Sequence, residues 1–420
     1  MLSARLGLRR VLITVALGCI WSSASAALGA DDQDLRERAL ALNNITGEDP
    51  IAGEIQKLTG DPAGSKKLLA TATTMGREKN QPFNYNAAYI LANVALKLKD
   101  YQAGQTFYQI CAEQASRLRS VQKLIQAYSG LLRVIDVLYG DKNYDQAAKL
   151  CQDFLETLEK EGVRQGVKDD VLRRLIRALA KQGKVDEAWK MVDNLVKIRG
   201  TDWRNVELKG WLLQESNRNT EAAQTYEELL DLISKDKSLE KDELQELIAD
   251  VHYILSGVYV DINRIDKAGD HLQILLKQSP NEAKYNNDLG YIWADHNLHL
   301  DEAERMIRKA LDEDRKQRRK ANANLDPEQD KDNAAYLDSM GWVLFKKKKY
   351  EEAKPFLLRA VEDKEGQHVE IYDHLGEVYM ALGQKTEAIA AWKKAVAAAG
   401  SSRREQDKKA EVEKKLKQQN

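Results

Sequence analysis

Between Val369 and Val396, large apolar residues recur three and four places apart around a residue with almost no side chain. Tyr372, Leu375 and Tyr379 surround Gly376; beyond Leu382-Gly383-Gln384, Ala388 and Ala395 stand seven apart with Trp392 between them. Such spacings place residues on one face of an α-helix. The segment therefore reads as two amphipathic helices joined by a turn, with Gly383 ending the first. Antiparallel helices approach closely only where a side chain is nearly absent, and bulky neighbours on the same face then fill the adjoining grooves.

The same pattern occurs elsewhere in the chain. In DSMGWVLFKKKKYEEAKPFLLRAVE, Gly341, Ala353 and Ala360 lie 35 residues before Gly376, Ala388 and Ala395. Ser256 and Gly290 are 34 apart, as are Ala188 and Ala222. Eight units begin near Tyr85, Tyr128, Asp169, Trp203, Ala249, Ala283, Ala334 and Val369. The 41 residues from Ala147 to Ala188 exceed the period by seven, about two helical turns, which longer helices would absorb. Charged insertions fall near 234–245 and 315–333 and are expected as surface loops or helix extensions. Pro355 lies inside a second helix, where its missing donor would tighten or kink the start.

A period of 34 residues is that of the tetratricopeptide repeat. LGYIWADHNLHLDEAERMIRKAL, the stretch quoted above and HLGEVYMALGQKTEAIAAWKKAV resemble the tandem repeats of exported bacterial members of that family. The resemblance covers about residues 85–400 and implies an all-α fold, an α-solenoid (superhelix) of about eight helix-turn-helix repeats. The expected organisation is a signal peptide over 1–26, a cap of one or two helices within 27–84, the repeat array over 85–402 and a charged tail over 403–420. The tail reads as a solvating helix or as disordered chain.

Composition agrees with helix. Six prolines in 420 residues and 31% charged side chains suit a soluble helical body. A formal net charge of -1 supplies no global field toward nucleic acid or anionic lipid. At the N-terminus, Arg5, Arg9 and Arg10 precede the apolar run VLITVALGCIW and the triplet Ala24-Ser25-Ala26. That is the layout of a secretory signal, with cleavage expected after Ala26 and an exported, periplasmic or secreted product. Membrane contact is expected only if this segment stays uncleaved or is lipidated. Cys111 and Cys151 form neither a disulfide framework nor a zinc pattern. They are expected as small residues in helix contacts, with pairing in an oxidising compartment as the alternative.

The sequence offers no catalytic constellation and no cofactor or metal site. Gly60-Asp61-Pro62-Ala63-Gly64-Ser65-Lys66 lacks P-loop spacing, and Asp61-Pro62 reads as a helix start. His296 and His299 fall in a turn between helices, and the basic runs at 346–349 and 315–320 read as solvated faces.

In the resembling family, set positions of each first helix line an inner groove. Carried over, these are Arg204, Glu207, Trp211 and Glu215 in the fourth unit, and Asp250, Tyr253 and Asp261 in the fifth. They continue with Lys284, Asn287, Tyr291 and Asp295, then Asp338, Trp342 and Phe345, then Glu370, Asp373 and Glu377. The third unit contributes the basic Arg173, Arg177 and Lys181. The candidate groove set is Trp211, Tyr253, Tyr291, Asp295, Asp338, Trp342, Phe345, Asp373 and Glu377. Trp211, Tyr291 and Trp342 share one unit position, either as anchors for a peptide or as packing against the next unit. The family's lysine and asparagine clamp for a terminal carboxylate is missing, which favours a basic or extended ligand. The expectation is a non-enzymatic scaffold for a protein or peptide partner, set in cell-envelope assembly. The alternatives are an envelope-polymer or carbohydrate binder, and an enzyme.

Overall fold

The computed structural model describes residues 30–163, 165–200, 202–322, 326, 330–400 and 402–419. The expected signal peptide lies outside the described residues. Three helices come first: α1 (Ala30–Ala41), α2 (Glu48–Gly60) and α3 (Pro62–Gly76). This is one more than the sequence suggested, because Asp61 and Pro62 divide the segment. Asp61 accepts a hydrogen bond from Gly64 N at 3.0 Å and caps α3, with Pro62 in its first turn.

Eight helix pairs follow. They are α4 (Tyr85–Lys97) with α5 (Tyr101–Arg117), α6 (Val121–Gly140) with α7 (Tyr144–Lys160), and α8 (Gln165–Lys181) with α9 (Val185–Arg199). Next come α10 (Trp203–Glu215) with α11 (Asn219–Ser234), and α12 (Lys241–Asp261) with α13 (Ile265–Gln278). The last are α14 (Ala283–Asp295) with α15 (Leu300–Ala321), α16 (Ala334–Lys346) with α17 (Tyr350–Glu362), and α18 (Val369–Ala381) with α19 (Lys385–Ala398). The tail forms one more helix, α20 (Arg403–Gln419).

One turn joins the helices of every pair. Its left-handed residue is Lys99, Lys142, Gly183, Asn217, Asn263, Asn297, Lys348 or Gly383. The following N–H reaches back five residues, as in Lys349 N to Leu344 O at 2.9 Å and Gln384 N to Tyr379 O at 2.9 Å. This is the Schellman closure, which satisfies carbonyls left over at a helix end and reverses the chain. Lysine and asparagine hold the left-handed position six times in eight, so a search for glycine alone misses most of these turns.

The missing side chains fall where helices meet. A Cβ at Gly290 would stand 2.7 Å from Ile307 Cγ1, and one at Gly341 2.5 Å from Leu357 Cγ. Across the pair, Ala303, Ala310, Ala353, Ala360, Ala388 and Ala395 are fully buried. The extra length between Ala147 and Ala188 is taken up by helices, α7 and α8 having 17 residues each where α16 and α17 have 13. Both insertions lengthen helices too: α12 has 21 residues and α15 has 22. Pro355 sits inside α17, whose helix continues through it.

The chain divides into two compact units, 1–174 and 175–420. In the first, Phe83, Phe107 and Tyr108 are buried among α4, α5 and α6, and Gly130 leaves room for the Tyr108 ring. Cys111 and Cys151 are buried free thiols, and burial pushes the Cys151 thiol up to about 12. In the second, Leu289, Ile307, Met340, Leu357 and Leu375 form a continuous core. There the first helices α14, α16 and α18 touch one another in succession as well as their own partners. Those three helices make one wall, and most of the candidate groove residues lie on it.

Candidate partner-binding groove

The fourth pair shows how the groove handles charge. Trp211 is half-buried on α10, with the Arg177 guanidinium 4.8 Å and the Lys181 ammonium 5.8 Å from its ring centre. Arg177 also binds Glu207 at 2.6 Å, and Lys181 binds Glu215 at 2.6 Å. Two of the three basic residues expected on the third unit are thus paired by acids of the fourth, and Arg173 pairs with Asp170 of its own helix. Farther along, Tyr253 donates to Asp288 at 2.7 Å and carries the Lys284 ammonium 3.5 Å over its ring. Burial, and then the Asp288 charge, push the Tyr253 phenol upward. Trp211 and Tyr253 stand apart from the other seven candidates.

Those seven converge. The Trp342 indole donates to Asp295 at 2.9 Å and stacks on two rings, Phe345 at 4.9 Å and His374 at 3.9 Å. His374 Nδ1 is 2.8 Å from Asp338 Oδ1. Tyr291 closes the group, its ring centre 6.3 Å from that of His374, and burial lifts its phenol well above the ordinary value. Burial opposes charge on the His374 imidazole, but the carboxylates of Asp338, Asp373 and Glu370 together outweigh it and the net shift is upward. Trp342 is only 9% exposed. At Trp342 the ring packs against the next unit through His374, whereas Trp211, at the same unit position, meets Arg177 and Lys181 of the preceding pair.

Sequence reasoning missed His374. Its signal is in the sequence: Glu370, His374 and Glu377 follow helical spacing, but the groove positions pick out only the carboxylates. His374 carries the contact between α16 and α18, because it both pairs with Asp338 and stacks on Trp342.

Asp373 and Glu377 are engaged by the tail. Lys415 Nζ on α20 lies 2.6 Å from Asp373 Oδ1 and 2.6 Å from Glu377 Oε1, and Lys408 Nζ lies 3.5 Å from Asp373 Oδ2. Arg404 Nη2 is 3.2 Å from Glu370 Oε1. A cavity of about 250 Å³ remains beneath α20, walled by Tyr291, Asp295, Trp342 and His374.

The basic runs are engaged as well. Lys346 donates to Asp295 O at 2.8 Å, and Lys347 reaches Asp301 at 2.5 Å and Glu304 at 2.7 Å. Arg315 binds Asp332 at 2.5 and 2.6 Å, and Arg359 joins it at 2.5 Å. His296 turns its Nδ1 to Ile292 O at 2.9 Å, and His299 sits 4.8 Å from the Trp293 ring. Among the described residues, no group of three or more His, Cys, Asp or Glu is placed to hold a metal ion. None of the described helices is long and apolar enough to cross a membrane. What this wall can do chemically is take up cationic groups with carboxylates beside fixed rings.

Residues 334–362 and 369–401 match the family model of the tetratricopeptide repeat. No curated protein matches the chain. Among solved structures, a tetratricopeptide repeat protein from Parabacteroides merdae is similar at 14% identity, over 69% of this chain and 99% of that one, with a TM-score of 0.49. A thermophilic repeat protein of Thermus thermophilus is similar at 17% identity over 50% and 98%, with a TM-score of 0.36. The C-terminal part of a repeat-containing protein from Cytophaga hutchinsonii is similar at 16% identity over 66% and 98%, with a TM-score of 0.39.

Proposed function

We propose, from its tetratricopeptide repeats at 334–362 and 369–401, that the chain is a non-enzymatic, exported scaffold that binds a protein or peptide partner. The observation that carries this is the wall of α14, α16 and α18, where carboxylates stand at fixed spacing beside rings held by stacking and hydrogen bonds. A surface that is ordered before its ligand arrives loses less entropy on binding. Export rests on the basic start, the apolar run and Ala24-Ser25-Ala26. Envelope assembly is the setting that an exported scaffold would serve.

The envelope-polymer alternative needs a flat ring open to a sugar face. Trp342 is buried with Phe345 and His374 stacked on it, and Trp211 faces cations, so the protein-partner reading is favoured. An enzyme would need a nucleophile or acid–base pair beside an open pocket; the Asp338–His374 pair is instead buried beneath Trp342.

The full chain, expressed in its native source, tests this reading. Partners cross-linked to it are to be compared with those of a variant carrying Asp295→Lys and Glu370→Lys. Loss of particular partners with an unchanged melting profile supports the groove; an identical set from both proteins overturns it. Intact-mass measurement and fractionation test export, the expected mature chain starting at Ala27 outside the cytoplasm. A full-length cytoplasmic product would remove export while leaving the scaffold.

A further inference from the structure

The tail helix α20 is seated differently from the helices it covers. α16 buries nine of its 13 residues and α18 buries eight of 13, whereas α20 buries Val412 alone among 17. Yet α20 takes the place that the first helix of another unit would take, packing on α19 and touching α18. Apolar area holds the earlier helices; charge holds this one. Arg404, Lys408 and Lys415 share a face of α20 with Val412 and meet Glu370, Asp373 and Glu377 on α18. Space remains on both sides of the contact: the cavity of about 250 Å³ beneath α20 and a cleft of about 840 Å³ along its first half. The Arg404–Glu370 pair is solvated and fades with salt, while Asp373 is buried beneath Lys408 and Lys415 and needs a cation there; a competitor that brings its own cations can therefore replace this contact.

We propose that the acidic face of α14, α16 and α18 is a docking site for a basic amphipathic helix, and that α20 is its built-in occupant, displaced by the partner. This rests on the scaffold reading above and names the partner's chemistry. The recognised pattern is the one α20 presents: arginine or lysine at i, i+4 and i+11, with an aliphatic residue at i+8. Arg404, Lys408 and Lys415 supply the cations and Val412 the apolar anchor. The partner is a helix because the pattern is helical: residues four and seven apart share a face only in that conformation. It is basic because the wall supplies Asp295, Glu370, Asp373 and Glu377. Glu405 on α20 meets His368 at 3.3 Å, at the rim of the contact. Because α20 and the partner compete, the partner's apparent affinity is its intrinsic affinity reduced by the fraction of molecules with α20 released.

The test uses the full chain and a labelled peptide of residues 402–419, followed by fluorescence anisotropy. In one protein Lys408→Glu and Lys415→Glu set like charges against Asp373 and Glu377 and release α20. The peptide is expected to bind this variant at least about tenfold more tightly than it binds the unaltered chain. A scrambled peptide of the same composition is expected to lose about tenfold in affinity. Equal affinity for the two proteins, or equal binding of the scrambled peptide, overturns the proposal. Should the variant lose its helical circular dichroism, amide exchange in the unaltered chain decides. Raising salt from about 0.05 to about 0.5 M should speed exchange in α20 about tenfold and leave α18 unchanged. Salt-independent protection of α20 overturns the proposal. Partners lost from the Asp295→Lys, Glu370→Lys protein while the peptide fails to bind would keep the scaffold and remove the displaced helix.

Discussion

Replacing Gly341 with alanine tests whether the missing side chains set the repeat. The new Cβ would stand 2.5 Å from Leu357 Cγ and 2.9 Å from Cδ2. Cγ is the branch point of a fully buried leucine, so relief requires a new rotamer or a wider helix pair. Overpacking of this kind costs about 1–3 kcal/mol. Alanine also favours the helical state over glycine by about 1 kcal/mol, which would mask part of that cost. Gly257, inside α12, separates the two effects because a Cβ there would meet nothing within 4 Å. Gly257→Ala should therefore stabilise by about 0.5–1 kcal/mol, and the gap between the two variants, about 1–3 kcal/mol, is the packing cost with the helix preference cancelled. Urea unfolding by circular dichroism reads both. Amide exchange in α12, α16 and α17 is needed beside it, because repeat arrays do not unfold as one two-state body. Equal stabilisation by both substitutions would refute the close approach at Gly341.

Three further outcomes are expected. Ala353→Leu enlarges a fully buried contact and should cost about 1–3 kcal/mol by the same assay; no cost would put the residue on the wrong face. Asp332 is held down to about 2, first by hydrogen bonds from Arg315, then Arg359, against burial. A lowered carboxyl contributes stability above its ordinary value of 3.8 that is lost as pH falls through about 2. Asp332→Asn should therefore cost about 2 kcal/mol near neutrality, and acid titrations of variant and parent should converge at low pH; a gap that persists there would contradict the linkage. His374 is raised from 6.5 by Asp338 against burial, so the pair contributes fully below that value and loses strength as pH climbs through the raised one. Exchange protection in α16 and α18 should fall over that interval in the parent and stay level in His374→Gln.

Much of the fold was legible because its rules are local. Small residues at Gly290, Gly341 and Gly376 and alanines seven apart mark the faces, and Trp203, Ala283, Ala334 and Val369 each open the helix expected of them. Tyr85 opens α4 as expected too; the remaining three starts differ where helices run longer, α6 opening at Val121, α8 at Gln165 and α12 at Lys241, since charged residues that look like loop suit an exposed helical turn equally well. The groove was legible as a list of positions but not as an environment. Trp342 is covered because His374, 32 residues later, stacks on it, and no local rule couples those two places. The tail offered still less. Its mean character is polar throughout, and the stripe of Arg404, Lys408, Val412 and Lys415 emerges only once Glu370, Asp373 and Glu377 are seen opposite.

The charge a partner meets is therefore not the charge the sequence displays. Arg177 and Lys181 are spent on Glu207 and Glu215, and Lys346 and Lys347 on the backbone and acids of the preceding pair. The carboxylates of α18 face the basic residues of α20. A basic ligand that displaces α20 exchanges one set of ion pairs for another of the same type, which leaves little net electrostatic gain. Selectivity must then come from what differs between occupants: how well an aliphatic anchor fills the place of Val412, and whether the cations fall at the same helical spacing. A ligand with more charge and the wrong spacing should bind faster at low salt but no more tightly. That places discrimination in the register of the α20 face and not in the count of its lysines.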